Sequence, residues 1–357
     1  MKFLFKHDKP MKTILLINNY DMAKTRASYL KGISPSYHQF GTSELMETGE
    51  YSVDYLLVAP KKKNSRILKM ISLLPVWLKA YRKARKYDYV YGAADFTVDF
   101  MGFMKKMGLF KPKLLAIFHH PPFKLRLKLA TYDQIIFLCE FAYKEMGQTF
   151  PLLKSRMSFM QWGPDLQFYN KYIPHVNYER EHDEVVFISN GKTHRDHEIL
   201  LEAAESTKNH TIIVCDDKTL PANYNQEKCI YTKIFYQNKP DDIKMVKLLS
   251  DCSVLVIPTY PTDRRLGPIG LTSFLDAIAM GIPVITASNT VLTDIVEREK
   301  IGFVYQAGNI DDLCDKMKLF VENSELIRSC GRRAAEFGLT NDIKKFGRQL
   351  KLKIEQL

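Results

Sequence analysis

Short apolar runs recur along this chain at a near-regular spacing, each separated from the next by a longer stretch of helical pattern. Residues 13–18, 51–59, 87–91, 114–118, 134–138 and 158–161 form one series. Residues 185–189, 211–215, 230–235, 253–258, 283–286 and 302–305 form a second. Runs this short, bounded by turn residues, read as strands buried on both faces. Strand and helix in alternation require a parallel sheet whose crossover helices cover its faces. Two series predict two doubly wound, Rossmann-like α/β domains facing a cleft where strand carboxyl ends meet. A length of 357 residues suits two domains rather than one. The turn-rich, polar stretch that follows residue 162 marks the passage between them. The expected division is residues 1–170 for the first domain, 171–183 for the linker, 184–338 for the second domain and 339–357 for a final helix.

Composition removes several function classes. No apolar run approaches the roughly 18 residues of a membrane span, and residues 1–10 are too short and too charged for a signal peptide. The 6 cysteines are scattered without a C-x-x-C pair, which predicts reduced thiols in a cytoplasmic protein and no zinc site. The net charge of +12 is uneven: residues 1–180 carry about +15 and residues 181–357 about −3. Lys61, Lys62, Lys63, Arg66, Lys69, Lys79, Arg82, Lys83, Arg85 and Lys86 lie in one segment with no acidic residue. There Trp77, Ala80, Tyr81 and Ala84 form an apolar stripe opposite Lys79, Arg82, Lys83 and Lys86. Such a helix suits an anionic membrane surface at the inner face of the membrane. It equally suits a sheet-packing helix with a solvated basic face. Nucleic acid is not an expected partner, because no recognition motif is present and half the chain is slightly acidic.

The run 270–285, GLTSFLDAIAMGIPVI, reads as loop, helix and buried strand. Leu271, Phe274, Leu275, Ile278 and Ala279 follow the spacing of one buried helix face. Gly281 stops the helix and Pro283 opens the next strand. Gly270 lets the backbone approach a ligand at the helix N-terminus, where free N–H groups and the dipole attract anions. Thr272 and Asp276 fall on another face, predicted to point into the cleft, with Asp276 roughly 9 Å along the axis from Gly270. The combination predicts a pyrophosphate cradle with a carboxylate placed for ribose hydroxyls. A plain crossover helix with a solvated Asp is the bland counterpart.

This run resembles the donor-binding signature of GT-B glycosyltransferases of family 4, the glycosyl transferases group 1. The family's Glu-Ala-Met-Ala-x-Gly-x-Pro-Val corresponds here to residues 276–284, with Asp276 for the second Glu. The family's other Glu, eight positions earlier, is replaced by Pro268, and Gly270-Leu271-Thr272 resembles a variant loop found in some branches. The residues 162–165, WGPD, look like the family's Asn-Gly-Val-Asp at the start of the linker. The resemblance covers most of the chain and implies the GT-B fold, with the C-terminal helix returning to the first domain. It also implies a nucleotide-diphosphate sugar as donor, retention of anomeric configuration, and no metal or cofactor.

Three further segments carry chemistry. In the loop 189–196, Gly191 permits a tight turn, and Lys192 and Arg195 present two cations suited to a pyrophosphate. It resembles the family loop whose basic residues neutralise the leaving diphosphate. His119 and His120 follow the strand 114–118 at the carboxyl edge of the sheet. The family often places a donor-sugar histidine here, and His120 is preferred over His119. The long loop 260–269 offers Arg264 and Arg265 to phosphates, with Asp263 as a stand-in for the missing Glu. Asn19 and Tyr20 follow the first strand and are expected on the acceptor side.

The resulting expectation is a retaining, metal-independent hexosyltransferase-type enzyme in cell-surface polysaccharide synthesis. It moves a sugar from a nucleotide-diphosphate sugar to a saccharide or lipid-linked acceptor. His120, Lys192 and Arg195 are the expected catalytic residues. Gly191, Gly270, Leu271, Thr272, Asp276, Arg264, Arg265 and His119 are expected to bind the donor. The rival readings are a non-catalytic regulatory subunit on the same fold and a nucleotide-sugar epimerase. The first would have no need of Lys192, Arg195 and His120, and the second needs a carboxylate pair that the sequence does not show.

Overall fold

The structure, a computed structural model, describes residues 10–59, 66–122, 124–173, 184–237, 241–263, 265 and 267–357. They fall into two compact units. One comprises the chain up to Leu30 together with Ser36–Gln161 and Lys344–Leu357; the other comprises Lys31–Pro35 and Trp162–Ile343.

In the first unit the strands are β1 (Lys12–Asn18), β2 (Tyr51–Leu57), β3 (Tyr89–Gly92), β4 (Lys113–Phe118), β5 (Gln134–Phe137) and β6 (Met157–Phe159). They pair in the order β2-β1-β3-β4-β5-β6, all parallel, with Ile14 opposite both Val53 and Tyr89. Ile14–Ile17 in β1 and Leu114–Phe118 in β4 are fully buried, as a sheet covered by helices on both faces requires.

The second unit repeats the plan with β7 (Phe187–Ser189), β8 (Thr211–Cys215), β9 (Thr232–Tyr236), β10 (Val254–Ile257), β11 (Val284–Ala287) and β12 (Gly302–Tyr305). Their order is β12-β11-β10-β7-β8-β9, again parallel. In each sheet the first strand is internal, because the chain builds outward in one direction and then returns to build in the other. The crevice where the direction reverses, beside β1 and β3 or β7 and β10, is where open α/β sheets bind ligands.

The twelve expected strands are all present, mostly a residue or two shorter than their apolar runs. The passage between units differs more. Trp162 already belongs to the second unit, and Leu166–Tyr172 is a helix capped by Asp165, whose carboxylate accepts from the Phe168 amide. Much of the predicted linker, residues 174–183, lies outside the described residues. The Ile343 amide donates to the Pro164 carbonyl at 2.9 Å, joining the two ends of the long segment of the second unit. The last helix, Ile343–Glu355, belongs to the first unit from Lys344 onward. Phe346, Leu350 and Ile354 are its buried stripe, and Lys351 pairs with Glu50 at 2.7 Å.

The basic segment forms the helix Arg66–Ala84; Lys61, Lys62 and Lys63 lie outside the described residues. Ala80 and Ala84 are buried, Trp77 stacks on Phe100, and the Tyr81 hydroxyl donates to the Leu109 carbonyl at 2.8 Å. The stripe therefore packs inward, as the sheet-packing alternative of the two expectations requires. Leu74 and Leu78 are exposed, beside Lys79 and Arg82. Among the described residues no helix is long and apolar enough to cross a membrane. All six cysteines are free thiols.

Candidate functional site

The loop after β7 and the helix Leu271–Met280 after β10 leave neighbouring strands of the second sheet, at its reversal point. Gly191 turns the loop at φ 106°, and a Cβ there would sit 2.7 Å from Arg195 Nη2. Glycine is therefore needed twice over, for the backbone angle and for the guanidinium lying against it. Arg195 is 6% exposed. Its Nε donates to the Asn190 carbonyl at 3.0 Å, Nη1 to the Thr193 carbonyl at 3.4 Å and Nη2 to the Ser273 hydroxyl at 3.0 Å. Among the described residues no carboxylate pairs with it. Burial without a counter-ion pushes its pKa down to about 10, which still leaves it charged at neutral pH.

Gly270 caps the helix at φ 88°, and the Leu271 amide turns back to the Pro268 carbonyl. Leu271 is buried and contributes only backbone, whereas Thr272 is exposed. Ser273, which the sequence pattern did not single out, joins the helix to the loop. Its hydroxyl accepts from Arg195 and donates to the Asn190 carbonyl at 3.2 Å. The first-turn amides and the Arg195 guanidinium thus lie at one place, both sources of positive potential.

Asp276 is not presented to solvent. Its Oδ1 accepts from the Tyr169 hydroxyl at 2.5 Å and its Oδ2 from Asn190 Nδ2 at 3.0 Å. Burial raises its pKa to about 7, against the opposing effect of those two donors. The ribose contact expected of Asp276 is thus not what the geometry offers. The carboxylate ties the β7 loop and the helix Leu166–Tyr172 to the cradle helix.

Lys192 also has partners: Nζ lies 3.0 Å from Asp216 Oδ2 and donates to the Gln237 carbonyl at 3.0 Å. The hydrogen bond from Lys192 holds the Asp216 carboxyl below its usual range. Arg265 pairs with Asp294 at 2.7 Å. Arg264 lies outside the described residues. Asp263 is exposed.

In the first unit His119 is half-buried, with Nε2 2.7 Å from the Ala93 carbonyl. A carbonyl only accepts, so Nε2 carries the proton and burial lowers the ring's pKa. His120 is exposed. Beside them stands a cluster that the sequence did not reveal. Arg126 bridges Asp95 at 2.5 Å and Asp99 at 2.6 Å, and the Tyr132 hydroxyl donates to Asp99 at 2.8 Å. Asn19 is exposed, with its amide bonded to Asn18 Oδ1, and Tyr20 is 38% exposed.

Residues 172–337 match the model of the family described as glycosyl transferases group 1. No curated protein matches the chain. Among solved structures, HepE from Anabaena in complex with UDP-glucose is 15% identical with a TM-score of 0.66, over 97% of this chain and 100% of that one. Sucrose-phosphate synthase from Thermosynechococcus elongatus is 14% identical with a TM-score of 0.68, over 97% and 98%. WaaG, a glycosyltransferase involved in lipopolysaccharide biosynthesis, is 14% identical with a TM-score of 0.61, over 95% and 98%. The likenesses extend over nearly the whole of each chain.

Proposed function

We propose, for a chain with the GT-B fold whose second unit matches the glycosyl transferases group 1, transfer of a sugar from a nucleotide-diphosphate sugar. The observation that carries this reading is Arg195, a buried cation without a carboxylate among the described residues, at the N-terminus of the cradle helix. Removing a guanidinium from water is costly unless an anion accompanies it. A diphosphate would accept from Arg195 and from the first-turn amide of Thr272, offsetting that cost. Lys192 would turn from Asp216 to the same anion. Neighbouring structures that hold UDP or UDP-glucose support a nucleotide donor.

The finer assignments extend the same reading. The leaving diphosphate is stabilised by fixed cations and a helix terminus, which is electrostatic preorganisation without a metal. The acceptor hydroxyl attacks from the face the diphosphate leaves, giving retention. His120 or His119 contacts the donor sugar, and Asn19 and Tyr20 contact a saccharide or lipid-linked acceptor in cell-surface glycan synthesis. Leu74 and Leu78, flanked by Lys79 and Arg82, hold the first unit to an anionic membrane.

Calorimetric titration of UDP, GDP, ADP and CDP tests the donor site. We expect one nucleotide to bind wild type, Arg195→Ala to weaken it at least about tenfold, or about 1.4 kcal/mol, and Lys192→Ala to weaken it less. Melting curves of both variants separate a lost contact from a lost fold. Binding of none by the wild type would overturn the reading and favour the non-catalytic subunit.

A further inference from the structure

On the other side of the Gly191–Arg195 loop from the cradle helix lies a cavity of about 480 Å³. No residue of Leu271–Met280 lines it; Lys192 and Arg195 of the loop do, together with His197, Glu198, Lys218 and Tyr260 and the stretch from Leu220 to Pro221. The topology accounts for the separation. The chain moves from β7 to β8 in one direction along the sheet and from β10 to β11 in the other. Right-handed crossovers therefore put the helices His197–Thr207 and Leu271–Met280 on opposite faces.

His197 is the informative wall. It is 1% exposed, and its Nδ1 lies 3.0 Å from the Thr219 carbonyl. The carbonyl can only accept, so Nδ1 carries the proton and Nε2 is a bare acceptor. That Nε2 is buried and has no hydrogen-bond partner. Burial keeps the ring neutral, with its pKa pushed down to about 4. A buried acceptor left bare costs free energy that a ligand's hydroxyl would recover. Glu198 adds a second acceptor: one carboxylate oxygen takes the Ala222 amide at 3.2 Å, and the other has no partner among the described residues. Tyr260, 42% exposed, supplies an aromatic wall and Leu220 and Pro221 an apolar one. Lys218 is exposed at the mouth, with no partner for its ammonium among the described residues. These acids and imidazoles do not converge as a metal site among the described residues.

We infer that this cavity binds an anionic sugar ring, a uronate or a sugar phosphate, separately from the nucleotide. Ring hydroxyls donate to His197 Nε2 and Glu198, the apolar ring face lies on Tyr260, and the negative group meets Lys218. The volume is that of an ordinary small-molecule site.

Glucuronate, glucose 6-phosphate, glucose and inorganic phosphate are titrated calorimetrically into the full chain, without nucleotide and with each nucleotide diphosphate in excess. One of the two anionic sugars is expected to bind in both conditions, identifying carboxylate or phosphate as the charged group. Glucose and phosphate should bind at least about tenfold more weakly. Lys218→Ala, on an exposed loop, should weaken the sugar at least about fivefold without changing the melting temperature, and Tyr260→Ala should do the same. Heat with none of the four, equal affinity for phosphate alone, displacement by a nucleotide, or no effect of either substitution would each overturn the inference. Failure of every nucleotide to bind would count against the donor site only, since the titration without nucleotide stands independently.

Discussion

Arg195 and Asp276 have opposite fates although both are charged residues beside one loop. Arg195 is buried with neutral partners and keeps its charge available for a ligand. Asp276 is buried with two donors and has none to offer. Its raised pKa sets a pH dependence whose sign follows from linkage. The native state retains a proton up to about pH 7 that an unfolded Asp releases near pH 4. Stability contributed by this group is therefore full below about pH 4 and lost as pH rises through about 7. Asp276→Asn should flatten that slope, so unfolding free energies of variant and wild type from urea titrations should diverge from pH 4 to pH 7 by an amount on the order of a few kcal/mol. Parallel free energies across that range would show that Asp276 is already ionised when buried.

At the level of elements, the cradle helix was legible from residues 270–285 alone. Its buried face, Gly270 at one end and Gly281 at the other all stand where the pattern put them. The apolar stripe of Arg66–Ala84 was legible too, but its destination was not, since a stripe says only that something covers it. Trp77 and Tyr81 find Phe100 and Phe110 within the same unit. The last helix shows how much one element contributes through packing. Phe346 is fully buried within the first unit, so Phe346→Ala should lower stability by about 3–5 kcal/mol. Denaturant unfolding that reports on the first unit would check this, and a loss under about 1 kcal/mol would mean that the helix is dispensable there.

For the whole molecule, the uneven charge places the basic excess in the N-terminal half of the chain, which makes up most of the first unit. Cations beside Leu74 and Leu78 should draw the chain to vesicles of anionic lipid, with binding that weakens as salt rises. Leu74→Glu with Leu78→Glu should abolish cosedimentation with phosphatidylserine vesicles while nucleotide affinity stays unchanged. Undiminished cosedimentation would assign the attraction to charge elsewhere.

Strand and helix alternation, the two parallel sheets, the glycine turns and the capped cradle helix were readable from sequence, because each is set by periodicity or turn chemistry within a few residues. The pairing of polar groups was not. Tyr169 meets Asp276 across 107 positions, Arg195 meets Ser273 across 78, and Asn190 meets Asp276 across 86. The cluster of Asp95, Asp99, Arg126 and Tyr132 is similarly dispersed. No local pattern encodes such partners. Only the folded sheet brings their strand ends together, and burial then decides which charges are already answered and which, like Arg195, remain for a ligand.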